Sequence, residues 1–150
     1  MPATPSEGMT GYGTKIYVER TPGAGFASPA TYIDLGEITK ITPPNPKTDQ
    51  AERTHMQSPD GTKEFVGGLT DLGEMSYDMN HVPGSATNVF CIAWRRSKAN
   101  LATRIVYPND EWEQCAAFPL GYSATGFGVS NVIPSTLTLK CAGAESFSTD

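Results

Sequence analysis

The chain has 150 residues and a formal net charge of −5 at pH 7, which is one domain's worth and enough to bury a core without staples. That acidic balance argues against a surface built to grip phosphate backbones, and no apolar run approaches the ~20 residues needed to span a bilayer. Gly and Pro are abundant, with 15 and 12 residues, and the short apolar runs between them point to many turns and hence to β structure.

Residues 1–13 are polar and Gly/Pro-rich. They carry neither the basic region nor the apolar stretch of a secretion signal, so a flexible arm and a cytoplasmic origin are expected. "TKIYVER" alternates, with Ile16 and Val18 on one face and Lys15, Tyr17 and Glu19 on the other, as a strand does. "TPGAGFASPA" is a loop by composition. "TYIDLGEITKIT" is a second strand whose apolar phase changes after Gly36, from Ile33 and Leu35 to Ile38 and Ile41. A bulge near that glycine would restore the register.

"PPNPKTDQAE" has too many prolines for a sheet interior. With the Pro59-Asp60-Gly61 turn after it, 43–73 is a long loop or hairpin excursion. Such lengths in a compact domain mark functional or interaction elements. From residue 74 the pattern sharpens: Met75, Tyr77 and Met79 alternate with Glu74, Ser76, Asp78 and Asn80, giving one apolar and one polar, acidic face.

A helix is predicted over about 85–97, with Ser85 as N-cap and Ala86, Val89, Phe90 and Ala93 recurring at i, i+3, i+4, i+7. Val89, Phe90, Ala93 and Trp94 are its expected packing residues. Arg95, Arg96 and Lys98 then sit at its end, where cations favour the helix dipole. "LATRIVYPND" and "EWEQCAAFPL" read as a hairpin, "GYSATGFGVSNV" as an irregular strand or wide turn, and "PSTLTLKCAG" as a closing strand. Trp112 alternates as a core residue would, and 145–150 should fray. The expected fold is one mainly β domain: an antiparallel two-sheet sandwich or partly open barrel with one flanking helix.

Chemistry is hard to find. Cys91, Cys115 and Cys141 are widely spaced in apolar company, which suits small buried hydrophobes rather than zinc ligands. His55 and His81 have no nucleophile setting, and no phosphate-binding, dinucleotide or metalloprotease motif occurs. Glu74 and Asp78 share a strand face about 13 Å apart, too far for an acid/base dyad. No catalytic residue, cofactor or metal is therefore expected. An acidic strand face suits a surface that must not hold polyanions; strands like this lining a pore would let DNA slide through.

The segment "SPDGTKEFVGGLTDLGEMSYDMNHVPG" resembles the tail tube (major tail) proteins of long-tailed bacteriophages, of the lambda-like type. It pairs a Ser-Pro-x-Gly turn, Glu64-Phe65-Val66, Gly68-Leu69, Asp71 and Gly73-Glu74 with the alternating strand. "GYGTKIYVE", "IDLGEITKITPPNPK", the helix and the hairpin follow in the expected order, so the resemblance covers nearly the whole chain. It implies a virion protein forming stacked hexameric rings. Their inner strands would line a conduit for DNA, assembled in the host cytoplasm around a tape-measure protein and meeting terminator and distal tail or baseplate proteins, with no membrane. On that reading Glu74, Ser76, Asp78 and Asn80 become candidate lumen residues. Lys47, Asp49, Glu52, Arg53, Asp60, Lys63 and Glu64 become a candidate ring-stacking loop.

Two other readings stand beside it. A stand-alone β-sandwich binding module would cluster exposed aromatics, with Tyr107, Trp112, Phe118 and Tyr122 as candidates. A tail terminator would form one ring and stop.

Overall fold

The computed structural model describes residues 8–150. Residues 1–7 of the expected N-terminal arm lie outside that range.

Ten strands and one α-helix follow in chain order: β1 (Lys15–Glu19), β2 (Tyr32–Leu35), β3 (Ile38–Thr42), β4 (Lys47–Glu52), β5 (Phe65–Asp71), β6 (Glu74–Asn80), α1 (Ala86–Ser97), β7 (Leu101–Val106), β8 (Trp112–Ala124), β9 (Pro134–Cys141) and β10 (Ser146–Phe147). Eight of the strands make one antiparallel sheet in the order β2-β1-β7-β8-β9-β6-β3, with β10 alongside β8, and β4 and β5 form a separate two-stranded ribbon.

The long strand β8 turns this single sheet into two layers. Its first half pairs with β7, from Val106↔Trp112 to Leu101↔Ala117. Its second half pairs with β9, from Ala117↔Cys141 to Ala124↔Ser135. Between Pro119 and Gly121 the register shifts, leaving Leu120 out of the ladder. Proline has no donor to give, and a bulge bends its strand, so the sheet folds over at this point.

The inner faces then meet. Ile16, Val18, Ile105 and Cys115 from one layer bury against Met75, Tyr77, Leu137 and Leu139 from the other. The Tyr77 hydroxyl, fully buried, reaches Thr103 Oγ1 on the opposite layer at 2.7 Å. The antiparallel two-sheet architecture with one flanking helix is thus as expected, and the barrel does not close.

The phase change after Gly36 has two causes, of which the expected bulge is one: the β3–β6 register shifts between Ile38 and Lys40. β2 and β3 lie at opposite ends of the strand order, so residues 36–37 carry the chain from one sheet edge to the other. Glu37 takes a left-handed conformation (φ 60°) to do so. Its carbonyl accepts from the Asn80 N–H at 2.9 Å.

The helix begins where predicted: Ser85 Oγ accepts from the Asn88 N–H at 3.2 Å. Its buried side is another matter. Asn88, Cys91 and Trp94 are inside, Phe90 is half-buried against the Trp94 ring, and Val89 and Ala93 are exposed. The apolar count over Ala86, Val89, Phe90 and Ala93 selected the wrong stripe because a polar residue belongs inside. Asn88 donates to the Tyr122 hydroxyl at 3.0 Å and accepts from the Gly84 N–H at 3.2 Å, and those bonds offset its burial. The bulk of Trp94 sets the packing face, with its indole N–H donating to Ala99 O at 2.8 Å.

Three smaller expectations also change. Glu19 is buried rather than outward, because its carboxylate accepts from the N–H groups of Gly23, Gly25 and Ala102 and so ties the 20–31 loop to β7. Trp112 lies outside the core, its ring stacked 3.8 Å from the Arg104 guanidinium. The expected frayed end is held: Ser146 and Phe147 pair with Gln114 and Glu113, and the Ser148 N–H donates to Trp112 O at 2.9 Å.

Tyr77→Phe leaves the Thr103 hydroxyl buried without its partner. It should destabilise the fold by about 1–3 kcal/mol, and adding Thr103→Val should recover much of that loss, as read by urea unfolding.

Candidate functional site

The strand β6 is two-sided as the alternation requires: Met75, Tyr77 and Met79 are buried, while Glu74 is exposed and Ser76, Asp78 and Asn80 are half-exposed. The tertiary structure supplies the neighbours of this polar face. On β9, Lys140, Thr138 and Thr136 stand opposite Glu74, Ser76 and Asp78. On β3, Lys40 and Thr42 stand opposite Asp78 and Ser76. Thr136 Oγ1 donates to Asp78 Oδ1 at 3.0 Å, and Asn80 Nδ2 donates to Glu37 Oε2 at 3.1 Å. The face is therefore polar and of mixed charge: the carboxylates seen along β6 are interleaved with Lys40 and Lys140. The free edge of β3 has no ladder partner among the described residues.

At one end of this layer the chain leaves for the β4–β5 ribbon. Every residue of both strands is exposed, so the ribbon has no core of its own, and an isolated two-stranded hairpin is marginal in water. The expected charged residues are divided along it. Lys47, Asp49 and Glu52 are on β4, Glu52 opposite Phe65 and Lys47 opposite Asp71. Arg53, Asp60, Lys63 and Glu64 belong to the tip, where Ser58 Oγ donates to Glu64 Oε2 at 2.9 Å.

Sequence reasoning weighted those charges and passed over the apolar residues among them. Leu69 is 85% exposed, and Met56, Phe65 and Val66 are open to solvent too. A charge-free "FVGGLT" run that no buried partner covers was the available signal.

A hinge-like junction joins ribbon to layer. Asp71 Oδ1 accepts from the Gly73 N–H at 2.9 Å and lies 3.4 Å from Lys140 Nζ. The Gly73 bond first, and Lys140 second, hold the Asp71 carboxyl below the usual carboxylate range. Gly73 has φ 76°, in the left-handed region that favours glycine.

At the far end of the same layer, the β8–β9 connection over 125–133 carries a second apolar group. Phe127 is 80% exposed, Val129 fully exposed and Val132 largely so. The His81 N–H donates to Ile133 O at 2.7 Å, which brings exposed Val82 beside them.

Little elsewhere invites chemistry. Among the described residues no three or more His, Cys, Asp or Glu side chains gather to hold a metal. The three cysteines are free and buried. Burial pushes the Cys91 thiol up to about 12, and the Cys141 hydrogen bond, with burial, raises Cys115. A notch of about 380 Å³ opens between β3 and β7 beneath residues 9–14, lined by Met9, Ile38, Ile41, Ile105 and Tyr107. Tyr107 hydrogen-bonds Glu113 Oε1 at 2.9 Å and is pushed up to about 12, by burial first. The aromatic candidates do not gather: Tyr122 is buried against α1, while Trp112 stacks on Arg104.

The folded-over sheet with its projecting ribbon is a fold found in tail tubes. The chain is similar to a chain in the tail of an empty gene transfer agent particle, with TM-score 0.71, 13% identity and 94% of this chain and 99% of that one covered. Against a chain of the sheath-tube complex of an extracellular contractile injection system the TM-score is 0.67, with 13% identity and 93% and 92% covered. Against the SPP1 tail tube it is 0.61, with 12% identity and 89% and 75% covered. At such identities the likeness is one of fold. No curated protein matches the sequence. The sequence profile of the lambda phage tail tube protein family does match, over residues 15–148. The chain belongs to that family and is a structural tail tube protein.

A carboxyl held below its unfolded value adds stability that is present above that value and lost as pH falls through the folded one. Acidification from about pH 5 to pH 2 should therefore loosen the Asp71 junction. The Gly73 amide should lose protection relative to its intrinsic exchange rate there, and Asp71→Asn should flatten the pH dependence of that protection in hydrogen exchange.

Proposed function

We propose that this chain assembles into hexameric rings that stack into a non-contractile tube, a conduit for DNA into the host cell. The observation that carries the reading is the layer β8-β9-β6-β3. It has one buried face, one polar face and a free edge strand, with an unsupported ribbon leaving one end. A free edge is a liability in a monomer, and closing a ring removes it. The gene transfer agent tail to which the fold is similar was computed with C6 symmetry, which supports six subunits per ring.

Glu74, Ser76, Asp78 and Asn80 face the lumen in this reading, with Lys40 and Lys140 between them. A mixed-charge lining exchanges few counterions with DNA and so holds it weakly. The β4–β5 ribbon and its tip, with Lys47, Asp49, Glu52, Arg53, Asp60, Lys63 and Glu64, make the contact between rings. The role is structural and non-enzymatic. The tube meets tape-measure, terminator and distal tail proteins, and the protein is built in the host cytoplasm and ends in the virion tail.

Negative-stain microscopy of the purified chain at high concentration, beside a light-scattering mass, should show rings or hollow tubes. A particle that remains a compact monomer in both would refute the reading. Deleting 53–64 should impair tube growth and leave the thermal unfolding midpoint of the monomer unchanged within error; tubes at the wild-type concentration would rule out the tip as part of the stacking contact. Converting Glu74 and Asp78 to Lys should keep tubes intact and lower infectivity at least about tenfold, through slowed DNA passage. Unchanged infectivity would remove these residues from the lumen.

A further inference from the structure

We infer that the 125–133 loop is the receptor for the β4–β5 ribbon of a second copy of this chain, a reading that rests on the proposed tube. The strand register places the two surfaces. In the layer β8-β9-β6-β3, Glu74 and Lys140 are paired at one end, and Asn80 and Pro134 at the other. The ribbon joins β6 at its Glu74 end, and the 125–133 loop joins β9 at its Pro134 end. β9 has eight residues, so about 26 Å of sheet separates the two surfaces. They stand at opposite ends of one sheet, and contacts between copies through such surfaces are head-to-tail. A head-to-tail contact does not close on itself and propagates a filament.

The two surfaces match in chemistry. The 65–70 run of the ribbon and the 125–133 loop contain no charged residue, so bringing them together strips water from no ion. Each presents large apolar side chains that its own chain leaves open: Phe65, Val66 and Leu69 on one, Phe127, Val129 and Val132 on the other. A ribbon with no core of its own gains one by lying on the loop, which explains why both strands are long yet wholly exposed. The charged residues of β4, with Glu52 opposite Phe65, and those of the tip then form the rim of the contact rather than its centre.

Cysteine cross-linking tests the pairing cleanly, because the native cysteines are all buried. Leu69→Cys and Val129→Cys are prepared separately, mixed under assembly conditions and treated with a short bismaleimide. A dimer band in the mixture, absent from either variant alone, is the expected result. Bands from a single variant alone would mean a two-fold contact and overturn the inference. Tubes by microscopy with no mixed band would overturn it and leave the tube reading standing, whereas neither tubes nor band would overturn both. As an independent arm, Val129→Asp should raise the concentration needed for tube growth by on the order of tenfold or more, with the unfolding midpoint of the monomer unchanged. Tubes at the wild-type concentration would count against the loop.

Discussion

The hydroxyl of Tyr77 meets that of Thr103 at 2.7 Å where the two layers of the sheet close on each other. Around that contact Met75, Leu137 and Leu139 press against Ile16, Val18 and Ile105. A single antiparallel sheet can bury only one of its faces by folding over. Once β8 bends at Pro119 and Leu120, the inner face is consumed by the core. Everything outside it must be satisfied by water or by another copy. The polar outer face of β6, the free edge of β3 and the uncovered ribbon are consequences of the same bend.

The helix and loops complete this economy without closing the barrel. α1 covers the second half of β8, where Asn88 and Arg95 bond the hydroxyl and carbonyl of Tyr122. Thr87 Oγ1 accepts the Gly36 N–H at 3.1 Å and so anchors the corner at which the chain changes edges. Glu19 does the same for the 20–31 loop. All of this polarity is spent on holding the frame. What is left exposed is the set of surfaces at the ends of the β6 layer, and those are apolar in part. The family of tail tube proteins builds a particle by repetition, and a chain whose unsatisfied surfaces sit at edges and opposite ends suits that architecture.

Much of the frame was legible locally. The alternation of β6, the N-cap at Ser85, the Pro59-Asp60-Gly61 turn and the β7–β8 hairpin are each written within a few residues, because each depends on a backbone period or a short-range hydrogen bond. The helix face was not, since Asn88 is buried by virtue of a partner on β8 that lies far away in the chain. Trp112 and Glu19 were misplaced for a related reason. One rests on Arg104 and the other takes three backbone donors, and neither partner follows from alternation. Of the candidate site, the carboxylates of β6 were visible and the interleaved lysines of β3 and β9 were not.

By itself the sequence determined a β-rich chain with one capped helix, a two-sided polar strand, a long excursion that no sheet interior could hold, and membership of a tail tube family. Periodicity and composition carry that much because they act through the backbone of each segment. The tertiary structure alone decided that the sheet folds at β8, that β2 and β3 end on opposite edges, and that the ribbon and the 125–133 loop stand at opposite ends of one layer. Those are relations between strands far apart in the chain. They are settled by which faces bury one another and by the register that follows, which no local pattern encodes.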